Sequence, residues 1–562
     1  MISLLWPHER LGEAGVATRG MSSLWLHDLD VEPVVQAIDR RGQRAGFVRA
    51  VLAELCLDAA VIAIRQDMVD DLVALPDLSD ALEGLLPALN TLAQPLPRWA
   101  AEAGVFRLAP RVAELELFVN TARALLAALE AARPTLRAAR LLDLQTALAT
   151  LLASDDVRAL ATALPTLRAQ LDQAGSVTLG VNLDDSLRPE SATIVAISRE
   201  RFRGPRTLLG RLLSNAAPEA GLFPLRQAAE RHAFSTGHQL FKDLESLLDG
   251  VTQPVASALE RFRTVHVQPL GMLEPELIFL IGAARLVRDV RAAGYAFARP
   301  VIAPAAERVT LLTATYSLPL VLRLRASGRD SGVVPSDVRL DDATRVWTLS
   351  GPNRGGKTTY TRALGLAHVL AQAGLPVPGS EARISPTDRI ATLFPAAEQA
   401  SVGMGRLDEE AAALATIFAQ ATSQSLVLLN EPLTSTSPED ARLIGRDVLC
   451  GLRALGCRAL FVTHLHDLAR EADALNTRVA GASGIGSLVA EVAERADGAQ
   501  ATFRVVPGQP QGQSYAAAVA QHHGLHLAQI MDTLQRRRVA PSSSQQADGQ
   551  HARVKPADGN EA

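Results

Sequence analysis

A chain of 562 residues, 48% hydrophobic and 21% charged, is long enough for two or three domains, each with its own core. A net charge of -4 excludes a globally basic nucleic-acid binder, so any such contact must come from local patches. Three cysteines, Cys56, Cys450 and Cys457, form no CxxC pair and no metal spacing, which excludes a disulfide framework and suits reduced thiols in a cytoplasmic protein.

The N-terminal stretch MISLLWPHERLGEAG has no long apolar run behind a basic start, so no signal peptide is expected. Apolar runs elsewhere are broken by charge well before the ~18 residues a membrane helix needs, which predicts a soluble chain with no membrane partner. From Phe47 and again from Val112, apolar residues recur at three- and four-residue steps, the period of packed helices. The segment from Gly175, GSVTLGVNLDDSLRPESATIVAIS, alternates β-branched residues around a turn-like NLDDS and predicts a short hairpin. Helical signal returns through about Arg291, and FARPVIAP from Phe297 is a proline-punctuated boundary.

From about 301 strands alternate with helices. Residues 345–350 (RVWTLS), 425–430 (SLVLLN) and 458–464 (RALFVTH) are short apolar strands, which implies a mainly parallel sheet with helices on both faces. Residues 488–508 predict a second hairpin, and a last helix runs roughly from Tyr515 to Arg537. The polar tail beyond it has too little apolar content to fold.

Only three lysines occur, Lys242, Lys357 and Lys555, while arginine supplies the remaining basic charge. Lys357 lies in Gly351-Pro352-Asn353-Arg354-Gly355-Gly356-Lys357-Thr358, followed by Thr359, which fits G-x-x-x-x-G-K-[ST]. Glycines let backbone N–H groups cradle phosphates, and the following helix adds its positive N-terminal end. Lys357 is expected to reach the β- and γ-phosphates of ATP, and Thr358 to ligate Mg²⁺. An arginine fork does not replace a compact ammonium at such a place. Asn430-Glu431 closes the strand SLVLL, where P-loop ATPases keep the carboxylates that hold Mg²⁺ and orient water. Glu431 is the candidate for activating that water, with Asn430 standing where an Asp is usual. His464, at the end of RALFVTH, is the candidate for sensing the γ-phosphate; His466 is read as an ordinary histidine.

Taken together these segments resemble the MutS family. GPNRGGKTTYTRA resembles the family's phosphate loop, SLVLLNEPLTSTSPEDA its acidic strand and the Ser/Thr-rich loop after it, FVTHLHDL its histidine motif, and GQSYAAAVAQHHGL its terminal segment. The resemblance covers about 300–530, and ELCLDAAVIAIRQDMVDDL is similar to the family's core and lever helices. It implies a helical core and lever domain over 1–300 with a clamp-like segment at about 175–235, an ABC-like α/β P-loop ATPase domain over 301–535, and a disordered tail over 536–562. It also implies ATP hydrolysis coupled to engagement of DNA in repair or recombination, and ATPase domains paired head to head as a homodimer, with Thr434–Ser437 facing the partner.

The chain departs from the family's pattern at several points. Ser401 or Gly405 holds the place of the family's trans-acting Ser–Thr–Phe run, and Val333 and Val334 lie where an aromatic ring often stacks on adenine. No Phe-x-Glu or Tyr-x-Glu, the family's mismatch-reading motif, occurs, and no room is seen for the mismatch-binding domain that carries it. DNA contact is therefore expected at backbone, through Arg199, Arg201, Arg203, Arg206 and Arg211, whose forks suit phosphates. The alternatives are the ATPase of another machine, such as a transporter's ABC subunit, or a nucleotide-gated scaffold, neither binding DNA.

Overall fold

A computed structural model describes residues 3–6, 24–94, 108–172, 176–186, 189–198, 200, 253–329, 332–395, 405–495, 498–510 and 524–539. The chain divides into two compact units, one of Met1–Ser331 with Arg362–Ile390 and one of Gly332–Thr361 with Ala391–Ala562.

The first unit is built mainly of helices: α1 (Glu32–Ile38), α2 (Ala45–Ala53), α3 (Ala59–Ala74), α4 (Pro76–Ala93), α5 (Leu108–Ala132), α6 (Ala139–Ala153), α7 (Asp155–Leu171), α8 (Leu273–Ala292) and α9 (Leu318–Ala326). The predicted hairpin is present as β1 (Ser176–Leu183) and β2 (Pro189–Ser198), paired antiparallel. Helix α3 starts where Asp58 accepts from the N–H groups of Ala60 and Val61, meeting donors that a helix's first turn leaves open. Helix α8 is buried on almost every side, as a helix at the centre of a bundle must be. A Cβ on Gly282 would stand 2.1 Å from the Ile38 carbonyl oxygen, so α8 meets the end of α1 backbone to backbone and glycine is required there.

The sequence reading puts a boundary at 300, and the compact units instead divide at 331/332. The reason is pairing. Residues 381–384 run antiparallel to 310–313 and parallel to 301–302, and α9 packs on α1. Gln372 ties the returning segment in: its Nε2 donates to the Cys56 and Thr387 carbonyls, and its Oε1 accepts from the Thr387 N–H.

The second unit centres on a six-stranded sheet. Its strands are β3 (Thr344–Ser350), β4 (Ile390–Leu393), β5 (Leu426–Asn430), β6 (Arg458–Val462), β7 (Gly484–Arg495) and β8 (Gly498–Pro507), in the order β4-β5-β6-β3-β7-β8. The neighbours β5, β6, β3 and β7 run parallel, and β8 returns antiparallel to β7 as the second predicted hairpin. Helix α10 (Lys357–Gln372) follows the glycine loop, and α11 (Arg406–Gln420) and α12 (Pro438–Leu455) precede β5 and β6. Every residue of β5 and β6 is buried, which is why both read as unbroken apolar runs. Helix α12 turns Ala441, Val448, Leu449 and Leu452 onto this sheet; the Ser437 hydroxyl accepts from the Asp440 N–H at its start, and Gly456 ends it at φ +72°. The described part of the last helix runs over Leu527–Val539, and residues 515–523 of the expected span lie outside the described residues. Of the tail expected over 536–562 to be disordered, residues 536–539 instead continue this helix, and 540–562 lie outside the described residues. Among the described residues no helix is long and apolar enough to cross a membrane.

Candidate functional site

Register brings three strand ends level. Asn430 of β5 pairs with Val462 of β6, and Val462 pairs with Leu349 of β3. The bonding continues one residue further, with Glu431 N–H donating to the Val462 carbonyl (3.0 Å) and Thr463 N–H to the Leu349 carbonyl (2.9 Å). Glu431, Thr463 and Gly351 thus leave the sheet at one edge, the carboxyl end of parallel strands where α/β proteins place their ligand crevice.

Between β3 and α10 the loop 351–356 takes a path that demands glycine. Gly351 has φ +141° and Gly356 φ +91°. A Cβ on Gly351 would come within 2.8 Å of the Ala490 side chain, and one on Gly355 within 2.9 Å of the Pro352 carbonyl oxygen. Arg354 adopts φ +62° between them. These glycines keep open a backbone concavity at the N-terminal end of a 16-residue helix, a form that suits phosphate. Asn353 and Arg354 are exposed at its tip, while Pro352, Thr358 and Thr359 are half-buried.

Lys357 is only 4% exposed. Its ammonium donates to the Gly351 carbonyl at 2.9 Å and the Pro352 carbonyl at 3.1 Å, and lies 3.5 Å from Glu431 Oε1. Burial pulls this ammonium below the ordinary lysine range, and the charge of Glu431 pushes back. Glu431 Oε2 stands 2.8 Å from His464 Nε2. The hydrogen bond from His464 holds this carboxyl below its usual range, against the effect of partial burial, and the charges of His464 and Lys357 add to it. Glu431 sits at φ +55°, a left-handed backbone rare outside glycine and Asn/Asp. His464 is presented by a turn in which the Thr463 hydroxyl accepts from the Leu465 N–H. The Thr358 hydroxyl donates to Asn430 Oδ1 at 3.3 Å, so two hard oxygen donors of the kind Mg²⁺ takes stand side by side. His466 begins the next short helix, and burial lowers its basicity.

Segments from Gly351, Asn430 and His464 therefore converge. Thr434, Ser435 and Ser437 are exposed beyond them, and Ser435 donates to Glu410. Glu410, with Arg406, Glu409, Phe394, Asn430 and Glu431, lines a cavity of about 150 Å³ that sequence reading did not foresee; its only signal was the acidic run opening α11. Gly405 stands at the N-cap of α11, whereas Ser401 lies outside the described residues. Val333 and Val334 are half-buried ahead of the strand Ser336–Leu340. Arg199, Arg201, Arg203, Arg206 and Arg211 all lie outside the described residues, as does most of the clamp-like segment.

Known families match both halves of the chain. Residues 347–537 match the model of MutS domain V, and residues 57–293 that of the MutS2 N-terminal domain. The chain belongs to the MutS family. A DNA mismatch repair protein MutS of Azorhizobium caulinodans is 32% identical over 483 residues, 77% of this chain and 49% of that protein. One from Symbiobacterium thermophilum is 27% identical over 458 residues, 75% of this chain and 50% of that protein. A DNA mismatch repair protein MutS 2 of Halobacterium salinarum is 39% identical over 181 residues, 31% of this chain and 21% of that protein. The chain thus spans half or less of these MutS-family relatives.

Proposed function

We propose that this chain binds and hydrolyses ATP at loop 351–358 and couples the nucleotide state to engagement of DNA. The observation that carries the reading is the meeting of Lys357 and His464 on the two oxygens of Glu431 beside a loop whose path demands glycine at Gly351 and Gly355. In the proposed cycle Lys357 turns from the loop carbonyls to the β- and γ-phosphates. Glu431 Oε1, relieved of the ammonium, then accepts the proton of the attacking water, while His464 N–H, bonded to Oε2, keeps the carboxylate oriented and ionised before the step. Thr358 and Asn430 would hold Mg²⁺, which when bound neutralises charge on the phosphates. The MutS relationship supports a homodimer through the ATPase domain, and arginines 199–211 are the proposed phosphate contacts to DNA.

A nucleotide-gated scaffold with slow turnover and no DNA contact is the second reading, favoured by the neutral Asn430 in the metal position. Measured turnover and DNA titrations separate the two. Glu431→Gln should retain nucleotide and lower turnover on the order of 10²–10⁴-fold. Parental turnover in that variant removes Glu431 from the role. Duplex affinity should fall with salt, the log–log slope losing roughly 0.9 for each phosphate contact removed. Replacing Arg201, Arg203 and Arg206 with Ala should flatten that slope and leave basal hydrolysis intact. A salt-independent or absent DNA interaction would leave the scaffold reading standing.

A further inference from the structure

A second cavity, about 460 Å³ in volume, lies wholly within the helical unit and has the size that small metabolites occupy. Its walls come from α4, α8 and the turn that joins α1 to α2. In that turn the Gly42 N–H donates to the Asp39 carbonyl at 3.0 Å, and Gly42 takes φ +67°, so the chain doubles back tightly. Asp39 and Arg41, two residues apart on the turn, both line the cavity.

The charges around this cavity are partnered unevenly. Arg40 is held by Asp289, and Arg285 donates to Glu83 Oε1 at 2.8 Å and to the Ile38 carbonyl at 3.2 Å. Arg44 is engaged by Glu274 at 2.7 Å and by Asn90 Oδ1 at 3.1 Å. Two charges are left over. Asp39 is only 5% exposed and accepts from the Arg44 N–H at 2.6 Å, yet among the described residues no cation pairs with it. A carboxylate that deep ordinarily has a cation beside it, because taking a charge out of water costs more than one hydrogen bond returns. Arg41 is exposed, and its guanidinium has neither an ion-pair nor a hydrogen-bond partner among the described residues. Asn90, whose Oδ1 is taken by Arg44, keeps its amide N–H groups free to donate. Leu86, Ile278 and Ile281 supply an apolar wall.

The geometry points to this cavity as a binding site for a free α-amino acid with an apolar side chain. The ligand's ammonium pairs with Asp39, its carboxylate with Arg41 and the Asn90 amide, and its side chain covers Leu86, Ile278 and Ile281. An α-amino acid carries both charges on one carbon, which matches two unpaired groups two residues apart on one turn. A peptide end brings one of these charges and leaves the other group bare. A phosphate would set an anion against Asp39. The assignment does not rest on the ATP reading, since every lining residue belongs to the helical unit.

The test is calorimetric titration of the full chain with L-leucine, L-phenylalanine, glycine, leucinamide, N-acetyl-leucine and inorganic phosphate. The better of the two apolar amino acids should bind with a Kd of about 10 μM to 1 mM, the range that so few atoms allow. Glycine, without a side chain for the apolar wall, should bind at least about tenfold more weakly. If L-leucine is the better ligand, leucinamide lacks its carboxylate and N-acetyl-leucine its ammonium, and each should lose about tenfold or more; if L-phenylalanine is, its amide and N-acetyl forms replace them. Arg41→Gln, at an exposed position, should weaken the amino acid about tenfold and abolish its advantage over the amide. Asp39→Asn keeps an acceptor for the Arg44 N–H and should abolish the advantage over the N-acetyl form. Absence of binding by both apolar amino acids up to about 10 mM overturns the site. Affinity untouched by both substitutions overturns it as well, and so does tighter binding of phosphate or the N-acetyl form, which would make the cavity an anion site. Glycine binding equal to the apolar amino acids overturns the role of the apolar wall.

Discussion

Arg65 of the helical unit and Lys357 of the sheet unit are both buried cations beside a carboxylate, and the two are held in opposite ways. In the helical unit Arg65 is fully buried. Its Nε donates to the Leu5 carbonyl, its Nη2 to Glu54 at 2.9 Å, and its guanidinium lies 5.3 Å from the Trp6 ring centroid. Gly374, at φ +82°, leaves the space it needs: a Cβ there would stand 2.2 Å from the Arg65 Cβ. In the sheet unit Lys357 is nearly as buried, yet its hydrogen bonds go to carbonyls of its own loop and its carboxylate partner stands 3.5 Å away. Arg65 is a fork with specific seats and a structural part to play. Lys357 is a point charge whose partners are within reach of an anion that would replace them. The contrast follows from the chemistry of the two cations, since a planar fork fixes direction and an ammonium does not.

Breaking the structural pair should have the largest effect. Arg65→Met leaves Glu54 Oε2 and the Leu5 carbonyl without the guanidinium, Glu54 Oε1 keeping only the Trp6 indole N–H, and should lower the stability of the helical unit by about 3–5 kcal/mol, seen as a shifted denaturant midpoint. A shift below about 1 kcal/mol would mean that Arg65 holds nothing together. Lys357→Arg should do the reverse, leaving the midpoint within about 1 kcal/mol and weakening nucleotide on the order of 100-fold, because the fork suits neither the loop nor a phosphate approached end-on. Retained affinity would show that any cation serves.

Alkaline pH sharpens the same comparison. The folded Lys357 ammonium is weaker in proton affinity than the ordinary lysine at 10.5, so its charge is lost as pH rises through that lowered value. Phosphate binding should therefore weaken by up to about tenfold per pH unit beginning below pH 10.5. The sign for folding is opposite: a cation with a depressed folded pKa destabilises while charged, so Lys357 becomes less unfavourable to the fold over that window. Affinity flat to pH 10.5 would contradict this. The smallest effect belongs to Asn430→Asp, which adds a charge beside Thr358 and should lower the Mg²⁺ concentration for half-saturation about threefold; an unchanged Mg²⁺ titration would leave Asn430 outside the metal site.

The sheet unit was the more legible of the two. Buried parallel strands read as apolar runs, and 345–350, 425–430 and 458–464 correspond to β3, β5 and β6. The residues at or just past the end of each run, Gly351, Glu431 and His464, marked positions that strand order then brings level. What escaped depends on distance along the chain. Phe503 and Ala490 meet the phosphate loop through a register shift that no local pattern encodes. Arg65 finds Leu5 across 60 residues, and the return of 362–390 to the helical unit rests on the hydrogen bonds of Gln372. Pattern reading sees periods and punctuation and does not see which distant backbone atom a buried polar group will reach.

Residues 502–504 of β8 bulge opposite the single residue Glu491 of β7, with a consequence for solubility. In the six-stranded sheet β8 and β4 are the two flanks, and an unpaired flank is a template on which another copy can extend the ladder. On β8 three residues depart from regular pairing, and β4 is only four residues long. Neither flank offers a long flat run of donors and acceptors, so this sheet resists self-templated fibre growth at both sides, one by distortion and the other by brevity.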